Sequence, residues 1–168
     1  MVKFSKALVT MAFFVPAIAS ADHWSDKVLA SLDIKETAFC NVLDTYTLQM
    51  QQAFESKNQI KVIKVYQDQI NDIKALMPTG EFENWIIEVE SVEVDTAFNA
   101  TLRGTLPCHK NILGVQISPS QSIPYSQLSD VSAGEYVLVS GRLSFDENLQ
   151  NLNPQDFGAD FTNIVGMN

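Results

Sequence analysis

The sequence predicts an α+β chain: an N-terminal antiparallel helical hairpin followed by a five-stranded β-barrel. Three observations carry this. Apolar residues recur every three or four positions between Asp33 and Met77, the period of one helix face. From Glu81 onward the period changes to two and recurs in five separate runs, the signature of strands. Between the two regimes stands Pro78-Thr79-Gly80, which stops a helix and marks a boundary.

The helical part divides into two stripes. Phe39, Leu43, Tyr46, Met50 and Ala53 form the first; Ile63, Tyr66, Ile70, Ile73 and Met77 form the second. The stripes fall out of phase across Glu55–Gln59. Ser56, followed three residues later by Gln59, has capping-box spacing, so a second helix is expected to start there. Two helices over about 34–55 and 57–76 follow, with one continuous helix as the alternative. The stripes read as core.

Each strand has its own pattern. In the first, up to Val94, Ile87 and Val89 lie on one face, whereas Val92 and Val94 keep the opposite parity. The switch near Glu90-Ser91 predicts a bulge. Asp95-Thr96 reads as a short turn. The second strand, Ala97–Leu106, alternates cleanly: Phe98, Ala100, Leu102 and Leu106 inward, Asn99, Thr101, Arg103 and Thr105 outward. Pro107 ends it. Ile112–Ile117 is a third strand and Pro119–Asp130 a loop with one helical turn at Tyr125–Leu128. Gly134–Phe145 is the fourth strand; a polar loop, Asp146–Asp156, leads to a fifth over about Ala159–Val165.

Residues 1–21 read as a secretory signal peptide. Lys3 and Lys6 supply the basic start, Ala7–Ile18 the uncharged apolar stretch, and Ala19-Ser20-Ala21 the small-residue cleavage site. Cleavage after Ala21 implies a periplasmic or secreted chain with a helical segment over 22–78 and a barrel over 81–168. No later run is apolar enough to span a membrane. Loss of Lys3 and Lys6 takes the formal charge from −9 to −11, which argues against nucleic acid and anionic lipid as partners. In an oxidising compartment the chain's two cysteines, Cys40 and Cys108, are expected to pair, although two separate buried thiols fit the spacing as well.

Catalytic material is sparse. A nucleophile needs a base beside it, and the two histidines, His23 and His109, lie at the cleavage site and next to Cys108. No metal-ligand spacing and no glycine-rich phosphate loop is present, so no metal or cofactor is expected. Glu88, Glu90, Glu93 and Asp95 have the composition of an acid–base or calcium cluster, but read more simply as a charged outer face that keeps a sheet edge soluble. Candidate binding residues are Arg103 and Arg142, the chain's only arginines and both outward, and Trp85, placed at the helix–barrel junction.

Gly134-Glu-Tyr-Val-Leu-Val-Ser-Gly141 resembles the Gly-Asp-x-Val-x-Val-x-Gly fourth strand of bacterial oligonucleotide/oligosaccharide-binding (OB) folds, with Glu135 where that pattern often has Asp. Leu76–Leu106 resembles the leading segment of exported bacterial proteins that carry a helical segment before such a barrel. Small periplasmic stress-linked OB proteins are similar in size and address, although their Phe-x-Asp-x-x-Gly-like turn is missing here. The resemblance implies an OB-type barrel. The OB ligand face, the outside of strands two and three, carries no aromatic platform here, a second argument against nucleic acid. The expected function is a non-catalytic envelope binding or interaction module whose partner is a protein or small ligand. The alternative is an oligosaccharide- or small-ligand-binding periplasmic protein.

Overall fold

A computed structural model of the chain describes residues 28, 30–107, 112–118, 122–145 and 156–167. The signal-peptide segment, both histidines, Cys108 and the polar loop 146–155 lie outside the described residues.

Helix α1 spans Ile34–Glu55 and α2 spans Gln59–Leu76. The break between them falls where the stripes change phase, but the capping differs from expectation. Asn58, not Ser56, is the N-cap: its Oδ1 accepts from the amides of Ile60 and Lys61. Ser56 closes α1 instead, and Lys57 takes φ 54 to turn the chain. The helices pack along each other through Met50, Ala53, Val62 and Tyr66, and Tyr46 Oη donates to Asp72 Oδ2 at 2.7 Å. That bond leads the causes that push the Tyr46 phenol up to about 12. In the second stripe Val62, not Ile63, is the buried residue of its turn.

The helices are followed by a curled, mainly antiparallel sheet. Its strands are β1 (Glu81–Val94), β2 (Ala100–Thr105), β3 (Ile112–Ile117), β4 (Tyr136–Ser144) and β5 (Asp156–Gly166). The hydrogen-bonded order is β1-β2-β3-β5-β4, and β4 also pairs with β1, so the sheet bends round on itself. Among the described residues only the short β3–β5 pairing is parallel. A short helix α3 (Ser122–Gln127) and one 3-10 turn (Leu128–Asp130) connect β3 to β4, more helix than the single turn expected.

One apolar core joins the two parts. Phe39 and Leu43 of α1, and Ile73 with Met77 at the end of α2, share a cluster with Phe82, Trp85, Ile87, Leu102, Val137, Val139, Phe157 and Phe161. One end of each helical stripe therefore seals onto the sheet, while Met50, Ala53 and Tyr66 seal the helices against each other. Burial of this kind contributes roughly 1.5–3 kcal/mol per large apolar side chain.

The predicted bulge in β1 is present: the β1–β2 register shifts between Val89 and Ser91. Two further irregularities were not expected. One lies in β1 between Phe82 and Trp85, where Asn84 takes φ 54. The other lies in the β4–β5 pairing between Ser140 and Gly141. A Cβ on Gly141 would collide with the Asp160 carbonyl oxygen, so only glycine lets the two strands approach there. Gly134, at φ 85, makes the turn into β4 and donates its amide to the Val89 carbonyl.

One inward assignment is corrected. Phe98 is not a core residue of β2 but sits on the turn before it, 70% exposed and at φ 63. The turn runs from Asp95 to Asn99 because the Asp95 carboxylate draws it in. Oδ1 accepts from the amides of Ala97 and Asn99, each at 2.8 Å, and Oδ2 accepts from Asn99 Nδ2. An aspartate folding the backbone onto itself competes with strand pairing, and β2 starts only at Ala100.

Candidate functional site

Two surfaces present chemistry. The first is a groove of about 580 Å³ on the outside of β1, β4 and β5, lined by Glu81, Glu83, Asn84, Ser140, Arg142 and Asp160 among others. The register explains its centre: Arg142 lies opposite Glu81 on β1 and opposite Asp160 on β5. Its Nη2 donates to Glu81 Oε1 at 2.8 Å. That bond and the guanidinium charge hold the Glu81 carboxyl below the usual carboxylate range. Both side chains are more than half exposed, so solvent screens the pair and its contribution to stability is small. Two of the sheet irregularities flank the groove, and Asn84 N donates to Ser140 Oγ at 3.0 Å across it. Three carboxylates against one guanidinium favour hydrogen-bonding or cationic groups.

The second surface is the far end of the β1–β2 hairpin. Phe98 stands out from the Asp95 turn, Val94 beside it is 55% exposed, Glu93 and Asp95 are exposed next to them, and Glu90 is exposed further back at the bulge, where its carboxylate accepts from Thr105 Oγ1. The Asp95 carboxyl is held below its usual range, first by the Asn99 side chain and then by backbone amides, so the turn is tied by a charged acceptor at neutral pH. The ring thus stands on a turn fixed by three hydrogen bonds to one carboxylate.

The residues singled out in the sequence do not converge. Trp85 is fully buried, with its ring 5.0 Å from Phe39 and 4.6 Å from Phe82, and its indole N–H finds no acceptor among the described residues. It joins α1 to the sheet and in this state offers no surface. Arg103 is exposed on β2, opposite Ser91 of β1 and Gly114 of β3. Arg142 lies opposite Glu81, ten positions from Ser91 along β1, or roughly 30 Å of strand path. The two arginines therefore serve separate surfaces. Cys40 is buried in α1.

Sequence reasoning missed Glu36. It is fully buried in the first turn of α1, and both carboxyl oxygens accept from the Ile86 amide, at 3.2 and 3.3 Å. Pairing explains why that amide is available. β2 ends at Thr105 opposite Glu88, so Ile86, two residues earlier, has run out of β2 partners. Burial pushes the Glu36 carboxyl up to about 8, against the opposing pull of the Ile86 and Asp33 backbone bonds. The signal was legible: Asp33-Ile-Lys-Glu36 has capping-box spacing, and Asp33 Oδ1 does accept from Lys35 N.

Among the described residues no group of three His, Cys, Asp or Glu side chains is placed to hold a metal ion, and no helix is long and apolar enough to cross a membrane. No protein-family model, no curated protein and no solved structure matches the chain.

Proposed function

We propose that this chain is an exported, non-catalytic envelope module that recognises a protein partner. In this reading a helical hairpin buttresses a five-stranded OB-type barrel, the signal peptide is cleaved after Ala21, and Cys40 pairs with Cys108. The strand order, in which β4 pairs back with β1, supports the barrel assignment. The observation that carries the function is the β1–β2 tip. Phe98 is the most exposed aromatic ring in the described part, and a charged turn holds it there rather than leaving it to bury itself. An exposed aromatic on a rigid support is the usual anchor of a protein interface.

The test is capture by the mature chain from the envelope extract of the cell that makes it, compared with Phe98→Ser and Arg142→Ala. Because both positions are exposed, neither change should unfold the chain. The expected result is a stoichiometric protein partner retained by the wild type and by Arg142→Ala, and lost by Phe98→Ser.

The groove around Arg142 favours a second reading, a small polar or cationic ligand. A thermal-shift screen of sugars and polyamines separates the two. A ligand that raises the Tm of the wild type and of Phe98→Ser, but not of Arg142→Ala, supports the groove as the working site.

A further inference from the structure

Beyond its bulge, β1 has a strand on one side only among the described residues. The β4 ladder ends at Glu88 opposite Tyr136, with last bonds between Val89 and the Gly134–Glu135 turn. From Ser91 to Val94, β1 pairs with β2 alone among the described residues. The direction of its backbone groups follows from the register. Asp95 N donates to Asn99 O, so 95/99 is a hydrogen-bonded pair. Such pairs alternate in an antiparallel ladder, which makes 93/101 and 91/103 hydrogen-bonded as well. The amides and carbonyls of Val92 and Val94 therefore point away from β2, to the open side. The same parity turns Ala100 and Leu102 toward β3, as their pairing with Ile117 and Val115 requires.

This edge is open but not indifferent. Glu93 lies along it and Asp95 closes its end, Glu90 stands at the bulge with its carboxylate accepting from Thr105 Oγ1 of β2, and Arg103, opposite Ser91, is the one cation along the paired segment. Acidic side chains of this kind guard an edge against self-pairing. A second copy laid edge to edge would bring the same carboxylates face to face and add the repulsion of two strongly acidic chains. For an extended segment carrying lysine or arginine the same carboxylates are attractive. Val94 and Phe98 offer that segment apolar contact at its end.

We infer that the Val92–Val94 edge of β1 is a strand-addition site for an extended, cationic segment of a partner protein, with Phe98 as its apolar anchor. Backbone bonds to Val92 and Val94 supply register, and the acidic side chains supply selectivity for positive charge. This rests on the reading of the hairpin tip as a partner surface and names the binding mode.

The test uses the mature chain and fluorescein-labelled seven-residue peptides that alternate valine with lysine or arginine, against the same peptides with glutamate. Anisotropy should show saturable binding of the cationic peptides and none of the acidic ones. The amides of Val92 and Val94 should gain protection from hydrogen exchange on binding. Val94→Pro removes an outward N–H that β2 does not use, so the hairpin is kept, and peptide affinity should fall at least tenfold. The exchange measurement needs no variant and stands if Val94→Pro fails to fold. The inference is overturned by equal binding of acidic peptides, by binding without protection at Val92 and Val94, or by no cationic peptide binding within about 1 mM, the weak end of specific affinity. A natural partner that needs Phe98 but ignores Val94→Pro would also overturn it, while leaving the interaction function standing.

Discussion

Glu36 couples the helices to the sheet through a single side chain. Its carboxyl completes the N-terminus of α1 and supplies the acceptor that β2 no longer provides to Ile86. Held at about 8 rather than at its ordinary 4.5, the carboxyl keeps its proton in the folded chain across a range where an unfolded chain has released it. The sign follows from linkage. This contribution to stability is fully present below about pH 4.5 and is lost as pH rises toward and through about 8. Urea unfolding across pH 5 to 9 should therefore show the wild type weakening toward the alkaline end. Glu36→Gln, which copies the neutral form and keeps an acceptor for Ile86, should flatten that slope. A wild-type profile equally steep in the Gln variant would show that another group carries it. Glu36 was legible only in part. The Asp33–Glu36 spacing predicts a cap, but nothing in the sequence says that the glutamate is buried, because burial depends on where β2 ends.

At the scale of elements, the sequence is most informative where periodicity is long. The stripes of α1 and α2, the bulge at Glu90-Ser91 and the inward set Ala100, Leu102 and Leu106 all follow from alternation, since one face must be apolar for the element to pack. Local side-chain chemistry was harder to read. Phe98 has the right parity for the core, yet the Asp95 carboxylate captures Ala97 and Asn99 first and ends the alternation early. Asn58 outcompetes Ser56 as a cap for a similar reason, with a short side chain that reaches two amides at once. The hairpin turn gives a prediction at this scale. Asp95→Ala should speed hydrogen exchange at the amides of Ala97 and Asn99 and weaken partner capture, although Phe98 itself is unchanged. Unaltered exchange at both amides would mean that the carboxylate does not hold the turn.

At the scale of the whole molecule, composition and the cysteine pair bear on how the two parts are joined. Trp85 packs tilted and Phe157 edge-on against Phe39 where α1 meets the sheet, with ring centroids 5.0 Å and 5.4 Å from Phe39, and Lys74 of α2 lies 5.5 Å from the Phe145 ring at the end of β4. Cys40 sits one residue from Phe39 on this same junction. The proposed bridge to Cys108 would tie α1 to the segment after β2 and close a long loop, worth roughly 4 kcal/mol in the chain-entropy picture. Reductant should accordingly lower the Tm of the oxidised mature chain by several degrees, and Cys40→Ala should remove that response. A Tm indifferent to reductant would leave the junction to packing alone. The sequence made this junction visible as two amphipathic stripes and a tryptophan. It did not reveal that Trp85 would be sealed inside, because its depth is set by Phe39 and Phe82 from separate elements.

The measurement that bears most directly on the interaction function is quantitative capture by the mature chain, wild type beside Phe98→Ser, with eluate and bait weighed by mass spectrometry. One protein should be recovered in stoichiometric amount with the wild type and lost with the serine variant, while the two baits melt at the same temperature. A partner retained undiminished by Phe98→Ser, or no partner for either bait, would contradict it.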